Sequence, residues 1–188
     1  MKQESSVKYI LRLALTLLLI TGAVAAALAG INSLTAAKIH KNQQLKSWEA
    51  IQKVLPGGAI ISEETKFSES VGIVRTLYTS TKGYAVEVVP TGFGGTITML
   101  VGVSFEGEVL GIAVVSQTET AGLGAIVAAD NQAGQSFRNQ FVGLSGSLAV
   151  TKDGGSIDAI TGATITSRAV VEGVNAALAC IADLEQAE

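Results

Sequence analysis

The sequence predicts an α+β protein: one membrane-spanning helix, then a domain built on a twisted antiparallel sheet with flanking helices. Three observations carry that expectation. No charged residue occurs between Leu13 and Ala37. Four segments rich in Val, Ile, Thr and Tyr then follow one another with only short links, and the C-terminal stretch repeats apolar residues at spacings of three and four. Close-set strands without helices between them argue antiparallel pairing rather than alternating βαβ units.

The first element is the apolar run. Leu13 to Ile31 is nearly all Leu, Ala, Ile and Val. At the helical rise of 1.5 Å per residue it spans about 28 Å, the thickness of a bilayer's hydrocarbon core. It also accounts for a composition that is 48% hydrophobic with a mean hydropathy of +0.44, too apolar for a purely soluble domain of this size. Lys2, Lys8 and Arg12 precede the run, while the flank after it opens with uncharged residues. The positive-inside rule therefore puts the N-terminus in the cytoplasm and everything from Lys38 onward outside. Ala27-Leu28-Ala29 has the small-x-small form of a signal-peptidase site, so a cleaved signal peptide is the competing reading. Both readings export the rest of the chain.

Three parts are expected: residues 1–37 as cytoplasmic N-terminus and single transmembrane helix, 38–57 as stalk helix and linker, and 58–188 as the folded domain. Leu45, Trp48, Ile51, Val54 and Leu55 recur at helical spacing before Pro56-Gly57-Gly58 ends the stalk. Polar Ser62–Ser70 reads as a loop or edge. Strands are expected at 71–79, 84–89, 96–105 and 108–116, with Glu106-Gly107 turning one hairpin. A short helix follows at 130–141 with Phe137 and Phe141 on one face, then a last short strand at 148–152. Val170, Val174, Ala177, Leu178, Ile181 and Leu184 mark an amphipathic helix starting near Thr166 or Ser167.

Several function classes fall away. A net charge of −3 gives no electrostatic case for nucleic acid. The sole histidine, His40, lies among Lys38 and Lys41 with no second histidine or cysteine to share a metal, so a solvated surface role is expected and no metal site. Cys180, the only cysteine, sits among apolar residues of the last helix, where it serves as a small buried hydrophobe. No nucleophile, base and orienting group occur together, so no catalytic residues are assigned.

The stretch with chemical content is Asp158-Ala-Ile-Thr-Gly-Ala-Thr-Ile-Thr-Ser-Arg168. Gly162 can adopt a positive φ and Ala163 presents almost no side chain, so the backbone can turn sharply and leave the Thr164 hydroxyl clear at a helix N-terminus. Unpaired N–H groups of Ile165 to Arg168 and the positive end of the dipole would favour a phosphate there, with the Arg168 charge close at hand. The same residues also suit a simple Thr/Ser cap after a glycine turn.

The string Asp158-x-x-Thr161-Gly162-Ala163-Thr164-x-Thr166 resembles the flavinylation motif of the FMN-binding domain family, found in the G subunit of the Rnf electron-transport complex and the C subunit of Na⁺-translocating NADH:quinone reductase. Two further stretches resemble the family in the same order. Gly92-Phe93-Gly94-Gly95 stands where members carry Gly-Tyr-x-Gly or Gly-Tyr-Gly-Gly. Glu119-Thr120-Ala121-Gly122-Leu123-Gly124 matches Glu-Thr-Pro-Gly-Leu-Gly, with alanine in place of proline, and Ala125-Ile126 replaces the usual Asp-Lys.

The resemblance implies an FMN joined through its phosphate to Thr164, with Thr166 as the alternative hydroxyl. It places Thr161, Gly162, Ala163, Ile165 and Thr166 around the phosphate end, and Glu119, Thr120, Gly122, Leu123 and Gly124 against the flavin. Asp158 is implied as part of what a dedicated flavin transferase recognises. It further implies a redox subunit of a membrane-bound Rnf complex, with iron–sulfur and flavin partner subunits, coupling ferredoxin:NAD⁺ electron transfer to Na⁺ or H⁺ translocation. A free-standing, membrane-anchored extracytoplasmic flavoprotein and an exported binding module with a merely structural Gly-Ala-Thr turn remain as alternatives.

Overall fold

The computed structural model describes residues 3–64 and 72–185. The side chain of His40 and the later part of the polar stretch Ser62–Ser70 lie outside the described residues. Two compact units divide the chain, Met1–Gln44 and Leu45–Glu188.

The described part of the first unit is helical throughout. Helix α1 covers Gln3–Val54, and its Lys8–Ala36 segment is long and apolar enough to cross a membrane. The Leu, Ile and Val side chains of that segment are exposed, which suits a lipid-facing helix. Thr16 and Thr21 donate their hydroxyls to the carbonyls of Arg12 and Leu17 one turn back, so their polar groups are satisfied within the helix.

The second unit is a five-stranded antiparallel meander in the order β1-β2-β3-β4-β5, not closed into a barrel. The strands are β1 (Ile60–Glu64), β2 (Val74–Ser80), β3 (Gly83–Val88), β4 (Thr98–Val103) and β5 (Val109–Ser116). The four strands expected between residues 71 and 116 all form, and β1 adds an edge strand where the sequence suggested a loop or edge. Between β4 and β5 the turn uses Gly107 at φ +77, and Ser104 Oγ accepts from the backbone N–H groups of Glu106 and Glu108 at 3.2 Å each. Helix α2 (Gln132–Asn139) starts where Asn131 Oδ1 accepts from Gly134 N–H, and Phe137 meets Phe141 edge-on at 5.6 Å.

Residues 148–152, expected as a strand, form none. Val150 makes an isolated bridge with Ile157, and Thr151–Asp153 is one turn of 3₁₀ helix. The cause is the returning chain: Gly155 N–H bonds the Val150 carbonyl and Gly155 lies against the Ala149 backbone, which leaves no extended partner. Helix α3 (Thr164–Glu185) starts a few residues before the expected point, with Thr164 as its first residue.

Strand alternation distributes the core. Leu77, Val86, Val88, Val101 and Ile112 face α3, whose Val170, Val174, Ala177, Leu178 and Ile181 are buried against them. This is why α3, apolar enough to pass as a second membrane span, is a core helix. On the other face Ala85, Leu100 and Ala113 meet Ala50, Ile51, Val54 and Leu55, so the turns read from sequence as a stalk pack on the sheet. Cys180 is buried.

Two glycines make that second contact possible. Gly102 and Gly111 are paired across β4 and β5, and a Cβ on Gly102 would stand 2.7 Å from the Val54 carbonyl oxygen and 2.9 Å from its Cβ. At Gly111 the nearest Val54 atoms are 3.7 and 3.9 Å away. Gly102→Val should therefore lower the stability of the folded domain by about 2 kcal/mol through overpacking, while Gly111→Ala should change it little. Thermal unfolding of the detergent-solubilised chain separates the two; equal melting temperatures would refute this account of the contact.

Candidate functional site

The three glycine-rich stretches, far apart in sequence, meet at one place. Gly92–Gly95 is the turn between β3 and β4, Thr118–Gly124 follows β5, and Asp158–Ser167 leads into α3. Glu119 joins them. Its Oε1 accepts from Gly94 N–H at 2.9 Å, and its Oε2 accepts from the Thr166 hydroxyl at 2.6 Å. Thr118 Oγ donates to the Gly94 carbonyl at 3.0 Å, adding a second tie between the first two stretches. A Cβ at Gly92 or Gly124 would overlap the Glu119 carboxylate, and at Gly124 it would also lie 2.6 Å from Thr166 Oγ. Those two glycines thus make room for a carboxylate.

The turn before α3 is held from both ends. Gln140 grips the backbone of Asp158, its Oε1 accepting from Asp158 N–H at 2.7 Å and its Nε2 donating to the Asp158 carbonyl at 3.2 Å. The Asp158 side chain stays exposed. Buried Ser167 accepts from Ile160 N–H and donates to the Ala163 carbonyl, both at 3.0 Å. Gly162 sits at φ +78, the left-handed conformation expected of it. A Cβ there would be 3.0 Å from Leu123 Cδ2, which brings the 119–124 loop against the Gly-Ala-Thr turn.

The hydroxyls of the motif have different fates. Thr166 is 1% exposed and engaged with Glu119. Thr164 is half-buried at the first residue of α3, and its hydroxyl receives Lys152 Nζ at 3.3 Å. Thr161 is exposed on the turn itself. Phe93 on the β3–β4 turn, Leu123 beside Gly162 and Ile165 in the first turn of α3 are 72%, 43% and 51% exposed, apolar side chains that the core does not use. Thr120 and Gly122 are exposed, with Gly122 at φ +77 and no atom near its missing Cβ, whereas Ala163 and Gly124 are buried.

Arg168, expected to lend its charge to the helix N-terminus, is committed elsewhere. Its Nε and one terminal nitrogen donate to the two oxygens of Asp153 at 2.7 Å each. Those bonds hold the Asp153 carboxyl below the usual carboxylate range, with the Arg168 and Lys152 charges assisting. The pair is therefore intact above the unfolded-state value of about 4 and is lost only as pH falls through the lowered folded value. Sequence reading missed Lys152 and Gln140, which act on residues 12 and 18 positions away with no local signature, and it read Ser167 only as a helix start. A cleft of about 440 Å³ between the last turns of α1 and β5 shares none of these residues. No cluster of His, Cys, Asp and Glu able to hold a metal occurs among the described residues.

The fold and the turn at the start of its last helix define a membrane-helix-bearing α+β domain with an antiparallel meander. Residues 92–179 match the FMN-binding domain. The chain is 34% identical to the G subunit of the Na⁺-translocating ferredoxin:NAD⁺ oxidoreductase complex of Acetobacterium woodii, covering 89% of each chain. It is 34% identical to the G subunit of an ion-translocating oxidoreductase complex of Shewanella piezotolerans, over 93% of this chain and 89% of that one. The corresponding Methanosarcina acetivorans protein is 33% identical over 93% and 95%. The chain belongs to the FMN-binding domain family, among the G subunits of ion-translocating oxidoreductase complexes.

The bond between Thr166 and Glu119 should be the weak link to mutation. Gly124→Ala drives a methyl into it and Glu119→Ala removes it, leaving a buried hydroxyl and the Gly94 N–H without their partner. Each should cost about 1–3 kcal/mol. Glu119→Gln keeps one acceptor and should cost less. Denaturant unfolding with the three variants side by side tests the ranking; Glu119→Ala as stable as wild type would remove the latch.

Proposed function

We propose that this chain carries FMN esterified through its phosphate to Thr164 and works as the electron-transferring G subunit of a membrane-bound Rnf complex, in which ferredoxin:NAD⁺ oxidoreduction drives Na⁺ or H⁺ across the membrane. The observation that carries the attachment point is the contrast between two hydroxyls. Thr166 donates its hydroxyl hydrogen bond to a carboxylate inside the domain, while Thr164 stands at the helix entrance on a turn held by Gln140 and Ser167.

The residues present suit the cofactor. Exposed Leu123, Ile165 and Phe93 offer apolar contact to a flat ring, and the open Gly122 lets backbone approach it. Thr120 adds a hydroxyl nearby, and Thr161 and Ala163 shape the phosphate end. Bound FMN supplies one- and two-electron redox chemistry. The chain's own share is to fix the attachment point, keep Thr166 and Glu119 occupied with each other, and expose one side of the site to a partner subunit. Thr164 is an anchor and takes no part in electron transfer.

The membrane arrangement follows from charge. With Lys8 and Arg12 ahead of a single apolar span, the N-terminus lies in the cytoplasm and the FMN domain outside. Loading the cofactor then requires a flavin transferase on that side, and the outward Asp158 carboxylate, its backbone gripped by Gln140, is a fit recognition point for it.

Thr164→Val should abolish covalent flavin while leaving a folded, membrane-inserted protein, because valine keeps the shape and β-branching but has no oxygen to esterify. Thr166→Val should keep the flavin at a stability cost of about 1 kcal/mol. Flavin fluorescence in a denaturing gel, after expression with the transferase, reads both. Fluorescence on Thr164→Val but not on Thr166→Val would move the attachment two residues; fluorescence on both would refute it.

A further inference from the structure

The motif does not contain the cation that the acceptor hydroxyl meets. Lys152 lies on the 3₁₀ turn Thr151–Asp153, outside the Asp158–Ser167 stretch, yet its ammonium donates to Thr164 Oγ at 3.3 Å. The turn that carries it is stapled to the helix that carries Thr164, through the two Arg168–Asp153 hydrogen bonds at 2.7 Å. Val150, just before the turn, is buried, and Thr151 N–H bonds the Ile157 carbonyl at 2.8 Å. Both oxygens of Asp153, the carboxylate next to Lys152 in sequence, are taken by Arg168, and Arg168 is in turn neutralised. Lys152 is thus the cation left facing the hydroxyl.

The geometry points to Lys152 as the residue that positions the Thr164 hydroxyl for phosphoryl transfer and then pairs with the phosphodiester it becomes. This rests on the attachment at Thr164 proposed above. Joining a free phosphomonoester to an alcohol in water would have to expel water, so the donor must be an activated flavin nucleotide, a dinucleotide with a phosphoanhydride bond. Thr164 Oγ forms a bond to the flavin-side phosphorus, and the anhydride P–O bond breaks. The nucleoside monophosphate leaves with that electron pair, and the hydroxyl proton passes to a base on the transferase. Lys152 serves as a hydrogen-bond donor and not as that base. As a compact point charge with rotatable donors, it can follow Oγ from hydroxyl to ester and move onto a non-bridging oxygen of the new anion.

The test is the initial rate of flavin incorporation into the full-length, detergent-solubilised chain, using the transferase and a flavin dinucleotide, read as fluorescence of the denatured protein. Lys152→Gln should slow incorporation about fivefold, the scale of an exposed charge pair, without moving the melting temperature. Lys152→Arg should restore most of the rate. Raised salt should slow wild type and Lys152→Arg more than Lys152→Gln. Lys46→Gln, which removes the same charge away from the site, should match wild type. A wild-type rate for Lys152→Gln, with no flavin on Thr164→Val, overturns the role of Lys152 and leaves the attachment standing. Equal slowing in Lys152→Gln and Lys152→Arg means a packing role and also overturns it. Flavin retained on Thr164→Val overturns the attachment and this inference together.

Discussion

The site depends on one carboxylate holding two donors that belong to different parts of the chain. Glu119 accepts from Gly94 N–H in the β3–β4 turn and from the Thr166 hydroxyl in the first turn of α3, residues 25 and 47 positions away. A charge-assisted hydrogen bond contributes more than a neutral one, and a half-buried carboxylate with both oxygens engaged has little reason to seek other partners. Glu119, which the family resemblance sets against the flavin, is thus occupied inside the protein. It holds the β3–β4 turn and the first turn of α3 together. The glycines at 92 and 124 follow from the same constraint, since any side chain there would occupy the carboxylate's place.

The sheet supplies the frame on which this latch can close. A meander with short turns brings the β3–β4 turn and the end of β5 to the same end of the sheet, and α3 crosses the face where Val86, Val101 and Ile112 wait for its apolar stripe. On the opposite face the last turns of α1 lodge over the Gly102–Gly111 pair. Both faces of the sheet are therefore covered by helix, which explains how strands with few polar residues remain folded. The functional end is left to turns, where backbone groups and exposed side chains are available.

Charge is distributed with the same economy. Arg168 and Asp153 neutralise each other and fix a turn; Lys152, one residue away, keeps its charge for the Thr164 hydroxyl. A helix N-terminus already favours an anion, and a lysine brought to it from another segment adds to that field without entering the motif. The Gly-Ala-Thr turn itself carries no ionised group between Asp158 and Arg168.

Local pattern was enough for much of this protein. An uninterrupted apolar run can only be satisfied by lipid or a core, alternating β-branched segments demand a sheet, and apolar residues three and four apart demand a helix lying on it; these follow from periodicity and solvent alone. The positive φ at Gly162 was equally legible, because few other residues tolerate it. The tertiary structure decided what no local pattern encodes. It set which of two threonine hydroxyls is buried against Glu119, which of two nearby cations remains free to face Thr164, and why 148–152 turns instead of extending. The first two outcomes depend on partners brought from elsewhere in the chain, Glu119 and Asp153, and such pairings exist only once the sheet and α3 have packed; the third depends on the return of the chain at Gly155 onto Ala149 and Val150.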